Sequence, residues 1–487
     1  MLFVLQLAQG TDLLFSICCF LFILISTAAF NEAGGFYRPS GAYIFFYATL
    51  AVIVGLCTKA IFWEAADSNL QTPQRTITVY LLSSVGLYAA VSLARKVRPK
   101  KGLLEDLVDD RNMQNATVGC LVMGFILHAC NLLIPRGNGS ILSALVQIDR
   151  FFPLVIILGV IYQIRKSGGT SSINLPVLLA GADILYVGLF GFSKEGMFTP
   201  LACWVVAASS QRYKIGRLQA VGLAAVFVFM FVYMVPYSQY GRNYEIEGNP
   251  EASRTDTVIY LLSNLGWVRD QYKKTVEGAV EERHTYFNTE VGFLNRLQMI
   301  SVDDELISTT ERTGPYGLLP IYRAFGNLVP HALWPGKPPT IGGNAYAHEI
   351  GSIISDDDET TGISFSPAGE AYHLERWFGL LFLAPILWFM LFTLFDSLCG
   401  NIQAAPWGLL MVVQFGHMAP EGMLGGIIYA MGFLSFGIVV AAFSAAYLMP
   451  ILGSLFKGPE KSVLVRRGPV RSFPRRDRLH PEPDSAQ

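Results

Sequence analysis

The stretch LLFSICCFLFILISTAAF, residues 13–30, runs for eighteen positions without a charged side chain. A helix needs roughly 20 mostly apolar residues to cross about 30 Å of hydrocarbon, so this stretch reads as a span. It lacks a basic leader and an A-x-A-like cleavage site, which makes it a retained span rather than a signal peptide. Comparable runs recur at about 42–63, 77–94, 116–135, 143–163, 174–192, 197–211, 217–237, 377–398, 405–420 and 424–450. Composition agrees: of 487 residues, 52% are hydrophobic and 15% charged, against roughly 25% charged in soluble domains. The expected fold class is an all-α polytopic membrane protein of about eleven transmembrane helices.

Lysine and arginine in short loops favour the cytoplasm. They cluster after the third run (Arg95, Lys96, Arg98, Lys100, Lys101), the fifth (Arg165, Lys166) and the seventh (Arg212, Lys214, Arg217). The alternate loops carry only Arg75, Arg136 and Lys194. An eleven-span count satisfies this alternation, with the N-terminus outside and the C-terminus inside. The chain then divides into transmembrane helices one to eight (1–237), a large extracytoplasmic loop (238–376), helices nine to eleven (377–453) and a basic tail (454–487). The tail is rich in proline and arginine and reads as a disordered segment at the membrane surface. All seven cysteines lie in or beside apolar runs, with no disulfide framework and no metal-ligand spacing.

A connector of this length is expected to carry function. Residues 238–256 are polar and turn-rich, and 257–313 read as helical, with apolar positions at three- and four-residue intervals. Residues 314–340 are punctuated by proline and glycine, and 341–362 read as a glycine-rich turn followed by an acid run. From Arg242 to Arg376 there are 11 Lys/Arg against 20 Asp/Glu. A net-acidic loop is no general anion sponge, so individual cations matter: Arg296, Arg323, Lys337 and Arg376. These either meet phosphate oxygens, for which arginine forks are well shaped, or form ordinary surface ion pairs.

Two stretches of the loop carry a resemblance. LVPHALWPGKPP (328–339) and SPAGEAYHLERWFGLLFLAPILW (366–388) are similar to motifs of the bacterial oligosaccharide repeat-unit polymerases, the Wzy-type O-antigen and exopolysaccharide polymerases. Pro330, Trp334, Pro335, Lys337 and Pro338 fit the first motif, and Gly369, Glu370, Tyr372 and Gly379 the second. FLNRLQM (293–299), with Arg296, resembles the arginine-bearing helix that precedes them, and Ser193-Lys194-x-Gly196 a second basic element. His331 departs from the pattern, where arginine is usual, as does Glu375-Arg376-Trp377.

The resemblance implies a GT-C-like membrane glycosyltransferase without a cofactor or metal. It would transfer a growing glycan from undecaprenyl pyrophosphate onto a new lipid-linked repeat unit, at the outer face of the bacterial cytoplasmic membrane. The implied partners are the undecaprenyl-pyrophosphate-linked oligosaccharide, membrane lipid and a chain-length regulator protein, with no nucleic acid. Such transfer needs a base for the acceptor hydroxyl and cations for the leaving pyrophosphate. Glu370 is the first candidate for the base, with His373 one helical turn on, to orient or replace it. Arg296 joins them as the third expected catalytic residue. The expected substrate-binding residues are Arg323, Lys337, Lys194, Arg150 and His331, with Trp334 and Tyr372 for sugar stacking.

Each has a plainer reading: Glu370 as an acid favoured at a helix N-terminus, Lys337 as part of a rigid turn, the aromatics as an interfacial girdle. Within the membrane, Asp149, Arg150 and Asp183 read as a lipid-phosphate contact or a structural ion pair, and His417 and Glu421 as lining the same cavity. Two other functions share these features: an O-antigen ligase, with the same lipid donor, and a polysaccharide-lipid flippase or transporter, which usually keeps shorter loops.

Overall fold

A computed structural model describes residues 1–133, 150–247, 253–280, 285–288, 294–331, 333–351 and 362–456. Among these the chain is all-helical. A short helix α1 (Leu2–Ala8) precedes α2 (Leu13–Ala33), α3 (Pro39–Ile61), α4 (Pro73–Val97) and α5 (Asp110–Leu133). Next come α6 (Phe151–Lys166), α7 (Leu175–Phe190), α8 (Lys194–Ser210) and α9 (Arg217–Arg242). The large loop holds α10 (Arg254–Ser263), α11 (Leu265–Val280), α12 (Ile300–Thr313), α13 (Leu319–Asn327) and α14 (Gly343–Ile350). The chain closes with α15 (Pro367–Cys399), α16 (Pro406–Glu421) and α17 (Met423–Phe456). Seven of these, α2, α3, α4, α5, α9, α15 and α17, are long and apolar enough to cross a membrane. That makes the chain a multi-pass membrane protein. The shorter α6, α7, α8 and α16 fall on the other four apolar runs.

Local signals set the helix ends. Asp12 caps α2 by accepting from the Phe15 amide at 3.0 Å, and Gly34, at φ +100°, ends it. Asn174 caps α7 through the Val177 amide. Proline stands in the first turn of α3, α4, α7 and α15, where its missing N–H costs nothing. Helix contact relies on small residues, as is usual in lipid. At Gly119 and Gly453, α5 and α17 touch so closely that no side chain would fit at either position.

Polar contacts gather at the two ends of the bundle. At one end Arg98 of the α4–α5 connection pairs with buried Asp396 near the end of α15. Ser40 adds a backbone and a hydroxyl bond to the same carboxylate, at 3.1 and 2.8 Å. Arg165 meets Asp110 and Gln211 at this end too. At the other end the α3–α4 turn meets the large loop. Buried Lys59 donates to Glu64 at 2.8 Å and to Ser68 at 2.7 Å, and lies 4.8 Å from the centroid of the Tyr286 ring. Tyr286 donates to the Ala66 carbonyl at 2.6 Å, and Asn69 bonds the Tyr286 carbonyl and the Asn288 side chain.

Three expectations are corrected. Residues 238–247 are not turn-rich but continue the helix of α9 through Val235–Glu247, because no proline or glycine pair interrupts it there. The start of the 341–362 stretch is the helix α14. The partner of Asp183 is His128, at 3.2 Å, and Asp149 lies outside the described residues. The acid run 356–359 and the tail from 457 also lie outside them.

Candidate functional site

The sequence ISVDDELISTTERT of α12 decides the site. Asp303, Ile307 and Thr310 repeat at helical spacing and face the bundle, all buried, so α12 inserts Asp303 and Asp304 among the helix ends instead of showing them to water. Asp304 meets the start of α4. It accepts from the amides of Gln71 and Thr72 at 2.5 and 3.0 Å and from the hydroxyls of Thr72 and Thr76 at 3.0 and 2.6 Å. A carboxylate there satisfies amides that no helical carbonyl reaches and suits the positive end of the helix.

Asp303 meets the start of α15. It accepts from Tyr80 Oη at 2.5 Å, from the Ser366 amide at 3.0 Å and from the Ser366 hydroxyl. Ser366 in turn caps α15 by accepting from the Gly369 amide at 3.1 Å. Gly369 is required because the Asp303 carboxyl occupies the space a side chain would need. Burial raises the Asp303 carboxyl to about 6, against hydrogen bonds from Ser366 and Tyr80 that lower it. In the unfolded chain the group titrates near the ordinary 3.8. The folded state therefore favours the protonated acid. Its contribution is complete below about pH 4 and fades as the pH rises through about 6, a loss of roughly 3 kcal/mol. Wild-type protein should lose thermal stability relative to Asp303→Asn between pH 4 and 7; parallel melting curves across that range would contradict this.

On the next turn of α15, Glu370 is 2% exposed. Its oxygens accept from Tyr346 Oη at 2.9 Å and from the Leu424 amide at 2.5 Å. The residue expected to face an acceptor hydroxyl thus tethers α14 and the first turn of α17, with both oxygens engaged. It does not pair with His373, which is fully buried and has its own partners. Thr310 donates its only hydroxyl proton to the Leu306 carbonyl at 2.8 Å. It can then only accept from His373 Nδ1, at 2.9 Å. This assigns the Nδ1–H tautomer from the bonding pattern and leaves Nε2 facing Glu349 Oε2 at 3.3 Å. Neither of these two atoms has another hydrogen-bond partner. The rings of Tyr316 and Tyr346 enclose the imidazole, at 5.3 and 4.9 Å.

Glu349, at 22% side-chain exposure, is the member of this chain of groups that reaches the surface. A second group gathers around Tyr372: Glu311, which accepts from Tyr372 Oη at 2.5 Å, and Arg75, 3.4 Å from Glu311 and stacked on Trp377 at 5.2 Å. Arg376 completes the group, donating to the Thr310 carbonyl at 3.1 Å. Its backbone, at φ 49° and ψ −130°, breaks α15 together with Glu375. That conformation costs a non-glycine residue about 1–3 kcal/mol, and such strain gathers at functional positions.

The expected binding residues are distributed more widely. Lys337 donates to the carbonyls of Asn327 and Val329 at 2.9 and 2.7 Å, closing the end of α13. Arg323 is half-buried and reaches the Pro339 carbonyl at 3.5 Å, and His331 Nδ1 lies 3.2 Å from the Trp334 carbonyl. Trp334 is half-exposed against Gly326. Lys194 opens α8, where Ser193 caps the helix through the Gly196 amide, so the Ser-Lys-x-Gly element is a helix start. His417 and Glu421, 2.5 Å apart, end α16 within electrostatic reach of Lys194. Arg150 precedes α6. Arg296 ends the turn Leu294–Arg296, and its side chain lies outside the described residues.

Sequence reasoning missed Asp303, Asp304, Glu311, Glu349 and Arg75. A signal existed for three of them. Asp303, Asp304 and Glu311 recur at seven- and eight-residue spacing on one face of an amphipathic helix, yet were counted only as bulk negative charge. Among the described residues no group of three metal-ligating side chains comes together. No family model, curated protein or solved structure matches this chain.

Proposed function

We propose that this protein polymerises undecaprenyl-pyrophosphate-linked oligosaccharide repeat units at the outer face of a bacterial cytoplasmic membrane. In this reading eleven helices cross the membrane in a GT-C-like arrangement, with the C-terminus cytoplasmic. The observation that carries it is convergence on α17. Glu370 of the SPAGEAY stretch bonds the Leu424 amide, while Leu328 of the LVPHALWPGKPP stretch packs on Gly432. The two motif-bearing stretches, distant in sequence, thus meet on one helix.

Glu349, backed by His373, takes the proton of the acceptor hydroxyl as its oxygen bonds to the anomeric carbon. The bond from that carbon to the phosphate oxygen breaks, and the lipid pyrophosphate leaves with the electron pair. In this reading Arg75 and Arg376, grouped at Tyr372, offset the charge that develops. Glu370 acts as a positioning residue that fixes α14, and with it Glu349. Purified protein given a defined lipid-linked repeat unit should yield a ladder of products on a gel. Transfer of finished polymer to a lipid A core acceptor, or lipid scrambling without extension, would overturn the reading. Arg376→Gly gives a sharper test, since glycine adopts φ 49° freely. It should melt no lower than Arg376→Ala, yet extend glycan about 10²-fold more slowly than wild type.

A further inference from the structure

We infer that the segment from Leu319 to Pro339, which hydropathy assigns to the aqueous loop, is inserted into the outer lipid leaflet and holds phospholipid against its exposed face. The starting point is Gly432, where Leu328 fills the space a side chain would take. Gly432 lies three residues after Tyr429 and four before Phe436, both exposed large apolar side chains, at 37% and 57%. Residues Ala430–Leu434 wind as a π-helix, in which positions four and five apart stack, so Phe436 shares the face of Gly432. On a helix long enough to span the membrane, an exposed apolar face is the one that meets lipid, and here it continues through Phe443 and Tyr447. Leu328 therefore docks α13 on the lipid-facing side of α17, not on its interior side. Gly432 stands nine residues into α17, about 14 Å along its axis at 1.5 Å per residue.

The exposed surface of the segment continues that face. Tyr322, Leu333 and Trp334 are exposed at 69%, 77% and 44%, and Phe325 and Val329 lie among them. Pro320 and Ile321 turn inward. Backbone chemistry fits the same place. Non-helical backbone is costly near hydrocarbon because each free N–H must find an acceptor. Between 330 and 339, proline at 330, 335, 338 and 339 removes four such donors. The amides of Leu333 and Trp334 bond the Pro330 carbonyl at 2.9 and 3.1 Å, and that of Lys337 the Trp334 carbonyl at 3.3 Å. The Lys337 ammonium is itself held by two carbonyls. Arg323 and Lys337 beside an apolar stripe make the pattern of a segment lying at the level of lipid phosphates.

The test uses the full chain in phospholipid vesicles, with a photoreactive benzophenone side chain replacing Leu333 or Tyr322. Phe436 serves as the lipid-facing reference and exposed Arg312 as the aqueous one. Irradiation should give a phospholipid adduct, read by mass spectrometry, at 333 and 322 in an amount comparable with 436, and none at 312. Adducts at 436 alone, or cross-links from 333 to a second polypeptide, would overturn the inference. Because no glycan is present, the outcome is independent of the proposed polymerase activity.

Discussion

Glu64→Ala is expected to destabilise the protein by about 3–5 kcal/mol, the cost of leaving a buried charge without its partner. Lys59 is 0% and Glu64 7% exposed at their side chains. The Lys59 ammonium has three neighbours: the Glu64 carboxylate, the Ser68 hydroxyl and the face of Tyr286. Only the first neutralises it. Glu64 also accepts from the Asn288 amide at 3.1 Å, so its loss removes one of the bonds that hold the 285–288 segment to the α3–α4 turn. Replacing both ionic residues with methionine should recover most of the loss, because the desolvation cost disappears with the charge. Thermal unfolding in detergent measures both variants. The control is Glu32→Ala, which breaks the more exposed pair with Arg95 and should cost no more than about 1 kcal/mol. A Glu64→Ala protein that melts with the Glu32→Ala protein would show that water reaches Lys59.

The second large effect concerns chemistry. Glu349→Gln should lower the rate of ladder formation by about 10²–10⁴-fold, the range for removing a general base. Glutamine keeps the size of the side chain and its bond with Thr313, at 3.0 Å in the wild type, so the fold should survive and the melting temperature should change little. His373→Gln should reduce the rate less, because His373 acts through Glu349 and touches no substrate. Its distinguishing readout is the pH profile. Removing the imidazole that faces Glu349 should move the acidic limb of the rate profile, which a merely structural change would leave in place. Extension by Glu349→Gln at the wild-type rate would remove Glu349 from the mechanism. It would also return attention to Glu370, whose carboxylate would then have to leave Tyr346 and Leu424 to act.

How much of this was legible in the sequence differs from residue to residue. Helix positions were legible because a span is a local property: eighteen apolar residues from Leu13 to Phe30 specify α2 whatever surrounds them. Gly369 and Glu370 could be singled out in the sequence, but their contacts could not. Glu370 read as a candidate base or as an acid at a helix start because nothing near it in sequence shows that Tyr346 and Leu424 come to meet it.

The amino-acid sequence by itself determined that this chain lives in a membrane, where its helices lie and which loop is long. Those follow from the hydrophobic effect acting on residues close together in the chain. Tertiary structure alone decided which acids are buried, which histidine nitrogen faces a carboxylate and which arginine is strained. These depend on groups distant in the chain, from 24 positions for His373 with Glu349 to 228 for Thr76 with Asp304. Electrostatics at such a site is set by burial and partner distance, and neither exists until the helices have packed.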